Sequence, residues 1–136
     1  MVDCVVDSSV WIDFFNKKSS EQVEKLMDIF PTSIREGVII ILPVIIQEVL
    51  QGIEDDELYY LVKENLFGFK KYDFDNYQFA LQGAELYRYL RKKGITIRKA
   101  NDCLIASICI QNKFTILHND KDFDNIAKHT SLKIYK

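Results

Sequence analysis

The stretch Val5–Phe15, VVDSSVWIDFF, decides the fold. Apolar residues run up to an aspartate, two serines follow, and the next apolar residues return at helical spacing. Extended back to Val2, the run Val2–Val6 reads as a short strand, despite Asp3 within it. Ser8 or Ser9 is suited to cap a helix that continues through Trp11, Ile12 and Phe15. A strand that passes straight into a helix leaves Asp7 at the junction. A carboxylate there suits a helix cap, and it equally suits a ligand for something bound at the strand end.

The same strand-then-helix unit recurs downstream. Gly37 precedes Val38-Ile39-Ile40-Ile41-Leu42, an unbroken apolar run of the kind buried on both faces of a parallel sheet. Pro43 fits the first turn of the next helix, which extends to Leu50 with Gly52 near its end. Between these units, Ser20 opens a helix with the stripe Val23, Leu26, Met27 and Phe30. Acidic Glu54–Glu57 starts another, through about Leu66, and Phe67–Tyr72 is expected as a strand. Tyr77, Ala80, Leu81, Ala84 and Tyr87 mark a long amphipathic helix ending near Gly94. Asn101 is placed to cap a helix from Asp102 to about Asn112. Phe114–Leu117 reads as a strand, Phe123–Lys128 as a short helix, and Leu132–Tyr135 as a last strand. Strands alternating with helices predict an α/β fold with a central, mostly parallel sheet flanked by helices.

A length of 136 residues without linker, repeat or low-complexity segment points to a single domain over residues 1–136. No apolar run approaches the roughly 20 residues of a membrane span, and the start lacks a basic segment followed by an apolar one. The three cysteines, Cys4, Cys103 and Cys109, are odd in number and without metal-ligand spacing. They read as reduced core residues of a cytoplasmic protein. A net charge of −2 argues against a surface that binds nucleic acid throughout, while leaving room for a local basic strip.

Four acids stand at element ends. Asp7 follows the first strand, and Glu48 lies in the helix after the second. Asp102 opens an otherwise apolar helix, and Asp120 follows the strand Phe114–Leu117, with Asp122 two residues on. In open parallel sheets, ligands bind beyond the carboxyl ends of the strands. Carboxylates crowded into one crevice repel, and some must keep a proton unless a cation is present. All-oxygen ligation suits Mg2+ or Mn2+, and such an ion assists phosphoryl chemistry. Taken singly, each acid also has an ordinary reading: Asp7 and Asp102 as helix-terminus partners, Glu48 as a solvated helix residue, Asp120, Asp122 and Asp124 as turn-formers. Other constellations fail. DKDFDN (120–125) begins like a calcium loop, but Asn125 and Ser131 replace its glycine and closing glutamate. There is no phosphate-cradling glycine loop and no nucleophile elbow.

Arg88, Arg91, Lys92, Lys93, Arg98 and Lys99 cluster just before Asp102. They read either as a solvated helix end or as a strip that tracks phosphates toward the acids, with Arg91, Lys92, Arg98 and Lys99 as the candidates for phosphate contact. Tyr59, Tyr60, Tyr72, Tyr77, Tyr87 and Tyr89 suit core or interface positions better than base stacking, since Tyr77 and Tyr87 continue an apolar stripe.

VVDSSVWIDFF, ILPVIIQEVLQG (41–52) and KANDCLIASICIQNKFTILHNDKDFDNIA (99–127) together resemble the PIN-domain ribonucleases, specifically the VapC-type toxins of prokaryotic toxin–antitoxin pairs. The likeness runs in order along nearly the whole chain and is least diagnostic from about Ile53 to Tyr89. It implies a PIN-like three-layer sandwich and a Mg2+- or Mn2+-dependent endoribonuclease leaving 5′-phosphate and 3′-hydroxyl ends. Carried over by position, Asp7, Glu48, Asp102 and Asp120 form the acidic quartet, Asp122 is an auxiliary metal ligand, and Ser9 orients the first acid. His118 departs from the Thr or Ser often found two residues before the fourth acid. The resemblance also implies a cognate antitoxin and a homodimer. Trp11, Phe14, Phe15 and the Val23–Phe30 helix are candidates for partner contact. Competing readings are a catalytically silent RNA-binding module, a metal-dependent DNA nuclease, and metal-free cleavage by His118 with His129.

Overall fold

The computed structural model describes residues 3–136; Val2, expected in the first strand, lies outside them. Four strands, β1 (Cys4–Val6), β2 (Ile39–Ile40), β3 (Thr115–Leu117) and β4 (Lys133–Ile134), alternate with seven helices among the described residues. The helices are α1 (Ser8–Phe15), α2 (Glu21–Glu36), α3 (Pro43–Leu50), α4 (Asp56–Phe67), α5 (Asn76–Lys92), α6 (Ala100–Asn112) and α7 (Lys121–His129). The strands form one sheet in the order β2-β1-β3-β4, and every pairing is parallel. A parallel sheet is covered by helices on both faces, so its central strands carry no polar side. Cys4, Val5, Val6, Ile39 and Ile40 are accordingly fully buried. Helix α1 packs on α2 and α3, α3 on α4, α5 on α6, and α6 on α7. The three-layer α/β arrangement is the one expected.

Several boundaries differ for identifiable reasons. The cap of α1 is Asp7, not Ser8 or Ser9: Asp7 keeps an extended backbone and its carboxylate accepts the Ser9 N–H at 3.2 Å. Both serines are already helical. Helix α6 begins at Ala100 after Lys99, so Asn101 lies inside it and caps nothing. Asp120 caps α7 by accepting the Asp122 N–H, which starts that helix two residues before Phe123. The run Phe67–Tyr72 is not a strand. Helix α4 extends through Phe67, and Lys70 alone bridges to Ile40, with its N–H on Ile39 O and its carbonyl accepting from Ile41 N–H. Trp11 is wholly buried, packed on Phe14, Phe15, Phe30 and Phe69, so it is a core residue and not a partner contact. Tyr77 is 86 % exposed, outside the core stripe to which its spacing assigned it.

Two backbone features fix the helices that flank the site. Gly83 lets α5 approach α6 closely, because a Cβ there would meet the Leu104 Cα at 3.3 Å. Gly37 ends α2 with φ +67°, and the buried Ser33 hydroxyl below it accepts the Ile39 N–H at 2.9 Å.

The strand order determines where a ligand fits. From β1 the chain crosses to β2 on one side, and from β3 it crosses to β4 on the other. The connections after β1 and β3 therefore diverge, and a crevice opens at the carboxyl ends of these two neighbours. The Asp7 N–H donates to Leu117 O at 2.9 Å, which prolongs the β1–β3 ladder into that crevice. Asp7 and the turn 118–120 thus leave the sheet side by side.

Candidate active site

Asp7 is 3 % exposed at the floor of the crevice. One carboxylate oxygen accepts the Ser9 hydroxyl at 2.7 Å as well as the Ser9 N–H. The same hydroxyl accepts the Asn119 N–H at 3.1 Å, so Ser9 ties the end of β1 to the turn after β3. Asn119 in turn donates through its side chain to Asp13 of α1. Asp7 serves as a helix cap and also faces the other acids, so its two sequence readings coexist.

Asp102 and Glu48 come in from α6 and α3. Asp102 is 3 % exposed, and Glu48 is half-buried. The Asp102 Oδ2 and Glu48 Oε1 atoms are buried without a hydrogen-bond partner among the described residues. Leaving such atoms unpaired is costly in a folded protein and calls for a ligand. Burial, then the charges of Asp7 and Asp120, push the Asp102 carboxyl up to about 7. Burial and then Asp7 likewise raise Glu48 above the ordinary carboxylate range. These rises are the electrostatic signature of acids gathered without enough positive charge.

Asp120 and Asp122 complete the group. Asp102, Asp120 and Asp122 each offer one oxygen within 4.8 Å of the others, a spacing suited to a shared hard cation. Asp7 and Glu48 adjoin this triad rather than belonging to it. Asp122, the auxiliary candidate, thus stands in the close group, which does not include Asp7 or Glu48. A basic pair also reaches the triad. The Arg98 guanidinium lies 3.2 Å from Asp120 and 3.4 Å from Asp122, and Lys99 Nζ lies 3.8 Å from Asp120.

His118 supplies the support for Asp120. Its Nδ1 accepts the Asp120 N–H at 3.0 Å, which leaves the ring proton on Nε2 to donate to Asp124 at 3.1 Å. The ring is buried against Phe123. His129 stands at the far end of α7, where its carbonyl accepts from Tyr89, so the two histidines do not form an acid–base pair. The sequence signal for His118 was its place two residues before an acid. The partner that gives it meaning, Asp124, lies one helical turn further on.

Arg88 and Arg91 do not approach the acids. They border a largely apolar groove of about 760 Å³ between α3, α5 and α6, with Leu42, Phe79, Ala84 and Leu104 in its walls. Arg91 also lies over the Tyr87 ring. Lys92 is an exposed residue of the last turn of α5, where a cation suits the helix terminus. The basic cluster thus divides: Arg98 and Lys99 belong to the crevice, and the α5 residues lie apart from it. A second, smaller cleft between α1 and α2 is lined by Phe14, Val23 and Met27.

Comparison with known proteins gives likenesses along nearly the whole chain. The PIN domain family matches residues 4–129. VapC ribonuclease Mb1587 of Mycobacterium bovis is 31 % identical over 132 residues, covering 95 % of each chain. Ribonuclease VapC11 of Mycobacterium tuberculosis shows the same identity and coverage. Among solved structures, a chain of DNA-bound VapBC2 from Rickettsia felis superposes with a TM-score of 0.73 at 20 % identity, over 97 % of this chain and 96 % of that one. A chain of DNA-bound VapBC from Salmonella typhimurium gives 0.70 at 15 % identity, over 99 % and 98 %. No helix among the described residues is long and apolar enough to cross a membrane. With its acids at the carboxyl ends of β1 and β3 and its likeness running from end to end, the chain belongs to the PIN domain family, among the VapC ribonucleases.

Proposed function

We propose that the protein is a divalent-metal-dependent endoribonuclease, the toxin of a VapBC-like toxin–antitoxin pair acting on cytoplasmic RNA. The observation that carries this reading is the pair of buried, unpartnered carboxylate oxygens on Asp102 and Glu48 beside Asp120 and Asp122. Asp102, Asp120 and Asp122 would hold a Mg2+ or Mn2+ ion, with Asp7 and Glu48 adjoining. Such an ion polarises a phosphoryl oxygen and makes a water more acidic. The chain's own residues do the rest. Ser9 fixes the Asp7 carboxylate, His118 fixes the backbone of Asp120, and the carboxylates beside the reacting phosphate accept the proton of the attacking water. Arg98 and Lys99 stand where a flanking phosphate enters.

Two protein partners fit different faces. The cleft of Phe14, Val23 and Met27, with half-buried Phe15 nearby, suits the antitoxin, now without Trp11. The apolar groove beside exposed Tyr77 and Leu81 on α5 suits a second copy of the chain, which gives a homodimer. Incubation of the pure protein with an RNA oligonucleotide tests the function. Mn2+ is expected to support cleavage into 5′-phosphate ends, chelator to abolish it, and folded Asp7→Asn protein to lose it. Binding without cleavage by the wild type identifies a silent RNA-binding module, and equal cutting of a 2′-deoxy oligonucleotide identifies a DNA nuclease.

A further inference from the structure

We propose that Arg98 is the crevice's own counter-ion, a side chain that spans Asp120 and Asp122 while no divalent cation is bound and passes to the RNA backbone when one is. The inference rests on the metal reading above and adds a coupling between metal and substrate. A guanidinium is a planar fork able to address two carboxylates at once, and Arg98 does so, with Nη2 on Asp120 and Nε on Asp122. The two carboxylates are almost wholly buried, at 8 % and 9 % side-chain exposure, so water replaces such a partner poorly. The Arg98 side chain is 71 % exposed. Its contacts, at 3.2 and 3.4 Å, are longer than the roughly 2.7–2.9 Å of tight charge-assisted bonds. A partner held loosely from the solvent side is readily exchanged for a doubly charged ion. On release, its stem still places the guanidinium at the crevice rim, where the phosphate next to the reacting one passes. Lys99, whose Nζ lies 3.8 Å from the Asp120 Oδ2, follows the same exchange at lower weight.

The geometry offers a clean probe. The Arg98 backbone N–H also donates to Asp122, at 3.2 Å, whatever side chain is present. Asp120 keeps its capping bond to the Asp122 N–H. Arg98→Gln therefore removes the competing cation and leaves both carboxylates in place.

Isothermal titration of the metal-free protein with Mn2+ reads the exchange directly. Arg98→Gln is expected to bind Mn2+ about ten-fold more tightly than wild type. Arg98→Lys, which keeps the charge and loses the fork, is expected to fall between them. Lys63→Gln, the same charge change at an exposed position on α4, is expected to match wild type. In parallel, the Arg98 Nε–Hε resonance is expected to shift on saturation with Mg2+. A phosphorothioate oligoribonucleotide is expected to gain less affinity from Mg2+ with Arg98→Gln than with wild type. Equal Mn2+ affinities for wild type and Arg98→Gln, with an unmoved Arg98 resonance, overturn the exchange and leave the metal site standing. Wild-type protein that takes up no Mn2+ overturns the exchange together with the function on which it rests.

Discussion

The acidic crevice and the apolar groove share two walls and have opposite characters. Helix α3 sends Gln47 to the groove and Glu48 to the acids; helix α6 sends Leu104 and Ile108 to the groove and Asp102 to the acids. On one side, charge is buried with too few partners. On the other, apolar surface stands uncovered around Ala80, Ala84 and Tyr87. Each is incomplete in a different way. The crevice lacks positive charge, and the groove lacks a surface to exclude water from it. Adjacent residues on one helix can therefore serve unrelated partners, because a helix turns each successive side chain by about 100°.

Substitution of Asp102 breaks the comparison most sharply. Its carboxyl, held at about 7, keeps a proton in the folded state that the unfolded chain releases near its ordinary value of 3.8. This contribution to metal-free stability is fully present below about 4 and is lost as pH rises through about 7. Asp102→Asn is expected to raise the metal-free Tm at pH 8 by about 4–8 °C and to leave it nearly unchanged at pH 4. The same change is expected to cut RNA cleavage by about 10²–10³-fold, as for loss of a group that stabilises the transition state. An equal Tm gain at both pH values breaks the attribution of the cost to charge.

His118→Ala comes next. It is expected to lower kcat by about 10–100-fold with KM nearly unchanged, the usual range for residues that orient a metal-binding group. An unchanged kcat means that Asp120 needs no help from the ring. On the groove side, Leu81→Glu on α5 is expected to weaken self-association by at least about ten-fold, measured by light scattering across a concentration series. A dimer indifferent to this change places the pairing surface elsewhere. The smallest effect is expected for Arg91→Glu, at the groove's edge: a few-fold loss of RNA affinity, with the salt slope falling by about 1–2. If RNA binding collapses instead, the groove belongs to the nucleic acid.

The sheet and the order of the acids were legible because both are written in short, contiguous patterns. VIIIL at 38–42 requires burial on both faces, and an acid that ends such a run lies beyond a strand. What escaped depends on side-chain direction between distant elements. Nothing local shows that Arg98 turns back onto Asp120 and Asp122, 22 and 24 positions away, or that Trp11 points inward while Ile12 is exposed. The cap of α1 stayed open between Asp7 and the two serines because Asp, Ser and Ser are all competent caps, and only the backbone conformation decides among them. The reading of 67–72 as a strand failed because α4 runs on through Phe67 and its last turn binds Gly68 and Phe69, so the chain touches the sheet only at Lys70 before Tyr72 bonds to Asp3.

The pairing of β1 with β3 has a consequence for synthesis. Asp3 and Thr115 are bonded neighbours 112 positions apart, so the strand that leads into Asp7 has its central partner far along the chain. A ribosome must therefore add the residues through Asp122 before the crevice closes, and a product that stops short of β3 carries the first acid with nothing opposite it.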